Sequence, residues 1–208
     1  VAEESGLAIP LGRWAVHSAC RQAAAWNAPG REERLVVSLA LCSAQYRGAQ
    51  AQREVEAALA DSGLDPACLE LVLTESLLQQ HDEAALAMLG RWAARGIRLC
   101  LDDFGSGYSN LAYIRRLRVH KLRLDLSGFA DLEADAEQRA IVQAMLEGAQ
   151  HLGLETAAKG VGDQAMADRL REMGCGQALG HLLPAREFER WLADRLAESS
   201  EPVTTQAS

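Results

Sequence analysis

This chain has no C-x-x-C pair, no excess of positive charge, no long apolar run and few aromatic residues. Each shortage removes a class of function. The five cysteines (Cys20, Cys42, Cys68, Cys100 and Cys175) are odd in number and scattered, several inside apolar runs. A disulfide framework or zinc site is therefore not expected, and a reducing compartment is. The formal net charge of −8 argues against direct nucleic-acid binding, because neutralising phosphates needs a basic face. No apolar run approaches the roughly 18 residues of a membrane span, and the opening VAEESGLAIP does not read as a signal peptide. The five histidines form no ligand pair.

What is present is ordinary for a soluble protein. With 208 residues, 49% apolar and 24% charged, the chain can bury one good core, and one cytoplasmic domain is expected. Short apolar runs alternate with helical stretches. LVVSLAL (35–41) reads as a buried strand, and AQAQREVEAALADSG places Val55, Ala58 and Leu59 on one helical face, with Gly63 as its stop. LELVLTE, IRLCLDDF, HKLRLDL, LETAAKGVG and QALGHLL continue the strands. DEAALAMLGRWAARG, NLAYIRRLR, AEQRAIVQAMLEGAQHLG, DQAMADRLREMG and AREFERWLADRLAES supply the helices between and after them. Trp14, Trp26, Trp92 and Trp191 are expected to pack helices rather than to stack bases.

Repeated strand–helix units imply right-handed parallel crossovers. Six strands suit either a doubly wound sheet or a (β/α)8 barrel short of two strands; no G-x-G-x-x-G opens a helix, so the dinucleotide sheet lacks support. In barrels, chemistry collects where strands run into loops. CLDDFGSGYSNL (100–111) is such a place: an apolar run ends in two adjacent carboxylates, Asp102 and Asp103, followed by a glycine-rich turn. Glu75, Arg123 and Lys159 fall near other strand ends.

LDDFGSGYSNLAYIRRLRVHKLRLDLSGF closely resembles the core of EAL domains, the bacterial cyclic-di-GMP phosphodiesterase family, whose pattern is D-D-F-G-[TS]-G-Y-S-S-L and then x-L-K-I-D-x-S-F. AEESGLAIPLGRWAVHSACRQAAAW, SGLDPACLELVLTES and AAKGVGDQAMADRLREMGCGQALGHLLP resemble its flanking blocks, in order. The resemblance implies an α/β fold, a modified (β/α)8 barrel occupying residues 1–192. Residues 193–208 would be the end of the last helix and a disordered polar tail. It also implies that two strands, including the one bearing E-A-L, precede the block at which Val1 lies. The sheet would then have open edges at 35–41 and near 177–183, covered by an upstream segment or another chain.

The family reaction is metal-assisted phosphodiester hydrolysis, in which carboxylates and one Asn hold two divalent ions. Carried over by resemblance, several positions have changed. The Asn falls on Ala40 and a ligand Glu on Val72, while Glu75, which orders a loop in the family, remains. Asp102 and Asp103 remain too. The Lys that orients the attacking water becomes Arg123, a Glu ligand becomes Lys159, a second Glu becomes Gly162, and a Gln becomes Leu179. Glu70 shares a strand face with Val72 but lies one layer deeper, so it is not expected to replace the lost ligand.

Two carboxylates, Asp102 and Asp103, would thus face two cations, Arg123 and Lys159, with salt bridges in place of metals. The expected protein is a catalytically inactive regulatory module contacting a protein partner, with no cofactor and no metal. Alternatives are a receptor that binds cyclic-di-GMP without cleaving it, through Asp102, Asp103, Phe104 and Gly105, and an active phosphodiesterase using Mg²⁺ or Mn²⁺. A homodimer is implied by resemblance alone. The turn at Gly105–Gly107 reads equally as a phosphate-approach loop or a tight turn needing positive φ. Arg115, Arg116, Arg118, Lys121 and Arg123 read as a solvated helix end or as a docking patch.

Overall fold

The computed structural model describes residues 7–28, 34–40, 49–74, 83–104, 114, 118–129, 132 and 134–179. Its elements alternate as the apolar runs suggest: helix α1 (Ala8–Trp26), strand β1 (Val37–Ala40), α2 (Ala49–Ser62), β2 (Leu69–Thr74), α3 (Glu83–Ala94), β3 (Arg98–Phe104), β4 (Lys121–Asp125), α4 (Ala136–His151), β5 (Glu155–Lys159), α5 (Gln164–Glu172) and β6 (Gln177–Ala178). The strands form one parallel six-stranded sheet in sequence order, which is the topology of a partial TIM-like barrel. Among the described residues β1 pairs only with β2 and β6 only with β5, so these two are the sheet's ends.

Local chemistry sets the element boundaries. Asp135 caps α4 by accepting hydrogen bonds from the backbone N–H groups of Glu137 and Gln138, and Asp163 caps α5 through Met166. Gly63 and Gly96 take positive φ immediately beyond α2 and just past α3. Helix α1 was not anticipated as an element; Pro10 sits in its first turn, where a missing N–H removes no helical bond.

The two faces of the sheet divide the work. Toward the helices, Leu69, Leu71, Leu73, Leu99, Leu101, Leu122 and Leu124 are buried. Most of them meet Val16, Cys20, Val55, Leu89 and Trp92 in one core; Leu124 joins a second around Val142, Leu146 and Leu170. Trp92 is fully buried, as expected, but Trp14 is 67% exposed. Leu11 lies beside it on an outward stripe, i–3 from Trp14, while Val16 and Cys20 take the inward one. The described cysteines, Cys20, Cys68, Cys100 and Cys175, are free and buried. Burial pushes the Cys20 thiol up to about 11 and the Cys100 thiol up to about 12, so neither behaves as a nucleophile near neutrality. No helix among the described residues is long and apolar enough to cross a membrane. The expected helix at 110–118, the closing helix, the polar tail, Trp191, Glu75 and Gly105 lie outside the described residues, apart from isolated positions.

Candidate functional site at the strand ends

The opposite face of the sheet carries charge in two layers. Register places Asp102 beside Thr74, and Asp125 beside Lys159. In a regular strand Asp102 and Asp103 would point to opposite faces. They do not, because the β3–β4 register shifts between Leu101 and Phe104 and Asp103 adopts a φ of 59°. The Asp103 N–H donates to Asp102 Oδ1 at 2.9 Å, closing the bulge on itself. Aspartate tolerates this left-handed backbone better than most side chains do. Both carboxylates therefore reach the same cation.

That cation is Lys159. Its Nζ hydrogen-bonds to Asp103 Oδ1, lies 3.5 Å from Asp102 Oδ1 and 3.4 Å from Asp125 Oδ2. Burial alone would lower the Lys159 pKa, but the hydrogen bond it donates to Asp103 and the charges of Asp102, Asp103 and Asp125 outweigh it and hold it above its ordinary value. Arg123 Nη1 stands 3.3 Å from Asp102 Oδ2. Asp125, which the sequence reading did not single out, is held in turn by the Ser127 N–H at 2.9 Å. Hydrogen bonds from Ser127, joined by the Lys159 charge, keep its carboxyl below the usual range. The expected balance of two negative against two positive groups is thus corrected to three against two. The missed signal was the L-R-L-D spacing, which puts Arg123 and Asp125 on one strand face.

The ends of β4 and β5 are locked together behind this array. The Leu126 N–H donates to the Lys159 carbonyl at 3.0 Å. Gly160, at φ +80°, passes so close to Ser127 that a Cβ there would lie 2.8 Å from its backbone nitrogen.

One layer down, Glu70 is fully buried. It accepts a hydrogen bond from Ser38 Oγ at 2.5 Å and pairs with Lys121 at 2.8 Å, with Arg98 Nε at 3.8 Å. Glu155 meets Arg98 at 2.5 Å. Burial raises the Glu70 pKa, but bonds from Lys121 and Ser38 and the charges of Lys121 and Arg98 override it and hold the carboxyl below its ordinary range. Glu70 is thereby engaged away from the upper array.

Among the described residues, the remaining positions contribute no oxygen donors to that array. Ala40 pairs with Val72 in the β1–β2 register, and Val72 is buried at 4% exposure. Gly162 is exposed with open space around it, and Leu179 is 40% exposed at the β6 end. Phe104 is buried against the core beneath the bulge. The structure therefore brings together Asp102, Asp103, Arg123 and Lys159, adds Asp125, and leaves Gly162 and Leu179 exposed.

Comparison with known proteins supports the topology and motifs. The NbdA cyclic di-GMP phosphodiesterase of Pseudomonas aeruginosa is 34% identical over 207 residues, covering 98% of this chain and 26% of that protein. The chain spans about a quarter of the curated relatives it matches. The PaMucR phosphodiesterase, solved as a c-di-GMP complex, superposes with a TM-score of 0.82 at 32% identity, covering 90% of this chain and 77% of that one. The EAL domain of Mycobacterium smegmatis DcpA gives 0.80 at 29% identity, covering 89% and 84%. The EAL domain family matches residues 1–185, and with its motif blocks in order on a parallel, curled sheet, this chain belongs to the EAL domain family.

Proposed function

We propose that this domain is a catalytically inactive EAL-type module that works by binding in cyclic-di-GMP signalling. The observation that carries this reading is the Lys159 ammonium seated among Asp102, Asp103 and Asp125. Hard divalent ions need several oxygen donors and no competing cation. Ala40 and Val72 offer no side-chain oxygen, and Lys159 brings a positive charge where the family has a carboxylate. At ~4 Å and an effective dielectric near 20, each such pair is worth about 4 kcal/mol before desolvation, and a dication arriving there meets repulsion of the same order. These residues do not fit a dinuclear metal centre.

A second reading has its own support: the similar PaMucR structure is a c-di-GMP complex, so a receptor that binds without cleaving fits the same mouth. Asp102, Asp103 and the Arg123 fork are the described side chains there that could meet a nucleotide, whereas Phe104, expected as a contact, is turned into the core. The module acts in the cytoplasm in either reading.

Turnover of cyclic-di-GMP with Mg²⁺ and with Mn²⁺ tests the proposal. No product is expected; hydrolysis that disappears in Asp102→Ala overturns it. Calorimetric titration with cyclic-di-GMP then separates receptor from pure interaction module, since saturable heat selects the receptor.

A further inference from the structure

We infer that Lys159 is a built-in counter-ion: its ammonium holds the three carboxylates at the strand ends and is itself what keeps divalent ions out. The inference deepens the reading of an inactive domain and rests on it, but it concerns the physics of the site rather than its turnover. Asp102, Asp103 and Asp125 come from two strands and would repel one another at neutral pH. The bulge at Asp103 brings two of them to one side despite being neighbours in sequence, and register brings the third directly opposite Lys159.

The single Nζ contacts all three, while Arg123 meets Asp102 on its other oxygen. A lysine ammonium has three N–H donors, so it can serve three acceptors at once, as a compact metal ion would. Unlike an ion, it is tethered to β5 and cannot be removed by chelation. Its position is fixed by the backbone bond from Leu126 to the Lys159 carbonyl and by the close packing of Gly160 on Ser127. The amine is thus anchored on the same corner that presents Asp125.

Removing only the charged end of this side chain should therefore leave three clustered carboxylates with Arg123 as the remaining cation among the described residues. That arrangement favours a divalent ion, whereas the wild type disfavours one. The test is Mn²⁺ binding by electron paramagnetic resonance, with thermal melts in chelator and in millimolar Mn²⁺, on the full chain without nucleotide. The wild type should bind no Mn²⁺ in the sub-millimolar range and melt identically with and without it. Lys159→Met should bind Mn²⁺ at least about tenfold more tightly than wild type, a gain of about 1.4 kcal/mol, and its melting temperature should rise when the ion is added. Lys159→Arg, which keeps the charge, should bind none. The double change Lys159→Met with Asp103→Asn should lose the gained affinity.

If Lys159→Met does not fold in chelator, refolding in Mn²⁺ becomes the readout: rescue supports the counter-ion, and failure to rescue overturns it. Saturable Mn²⁺ binding by the wild type that is lost in Asp102→Asn also overturns it. Ion titration without nucleotide keeps the two readings apart, because cyclic-di-GMP hydrolysis would end the inactive one and wild-type ion binding would end this one.

Discussion

Asp125 stands directly across from Lys159 in the β4–β5 ladder, and their charged ends meet at 3.4 Å. The pair belongs to a larger ionic array, in which one lysine on β5 meets a carboxylate from β4 and two more from β3. The same sheet face carries a separate ionic layer beneath it, centred on Glu70, and the two layers make different predictions.

Glu70 is buried with Lys121, Arg98 and Ser38 as partners. Removing one member of a buried ion pair leaves its partner uncompensated, at a loss of about 3–5 kcal/mol. Glu70→Ala should destabilise the fold by that amount in urea unfolding monitored by circular dichroism. A loss under about 1 kcal/mol would mean that the lower layer contributes little.

Acid stability follows from the same group. Glu70 and Asp125 have folded-state pKa values below their unfolded ones, so their contribution is present above the unfolded values and fades as pH falls through the folded values. Unfolding free energy should be nearly constant from about pH 7 to 5 and decline below about pH 4. Glu70→Gln should flatten part of that decline, measured by denaturant midpoints across the series.

The two glycines after β5 should respond oppositely. Gly160 has a φ of +80° and no room for a Cβ, whereas Gly162 has neither constraint. Gly160→Ala should cost about 1–3 kcal/mol, and Gly162→Ala should stay within about 0.5 kcal/mol. Equal effects would show that the contact with Ser127 carries no strain.

Tryptophans divide the same way. Trp92 is fully buried and Trp14 is largely exposed. Trp92→Ala should cost about 3–5 kcal/mol, while Trp14→Ala should change stability by less than about 0.5 kcal/mol. Thermal melts of the two variants make the comparison directly.

The sheet order was legible because each strand is a short apolar run followed by helical spacing, and parallel crossovers leave few other arrangements. LELVLTE reads as a strand, and Leu69–Thr74 form one, buried from Leu69 to Leu73. Helix α1 was harder to see: its inward stripe holds small residues, Ala8, Cys20 and Ala23, which give a weak hydrophobic period. The encounter of Asp102 and Asp103 with Lys159 and Arg123 could be anticipated from motif positions, but its geometry could not. Strict alternation in IRLCLDDF assigns the two aspartates to opposite faces, and only a change of register with a left-handed residue reconciles them. Asp125 lies two residues past Arg123 on the same strand face, the spacing that brings its carboxylate to the array.

The bare backbone at Gly160 has a further implication. With Ser127 pressed against it and Leu126 bonded to its neighbour, the turns leaving two consecutive strands are welded into a single corner. A shift of one of those turns would therefore have to carry the other with it.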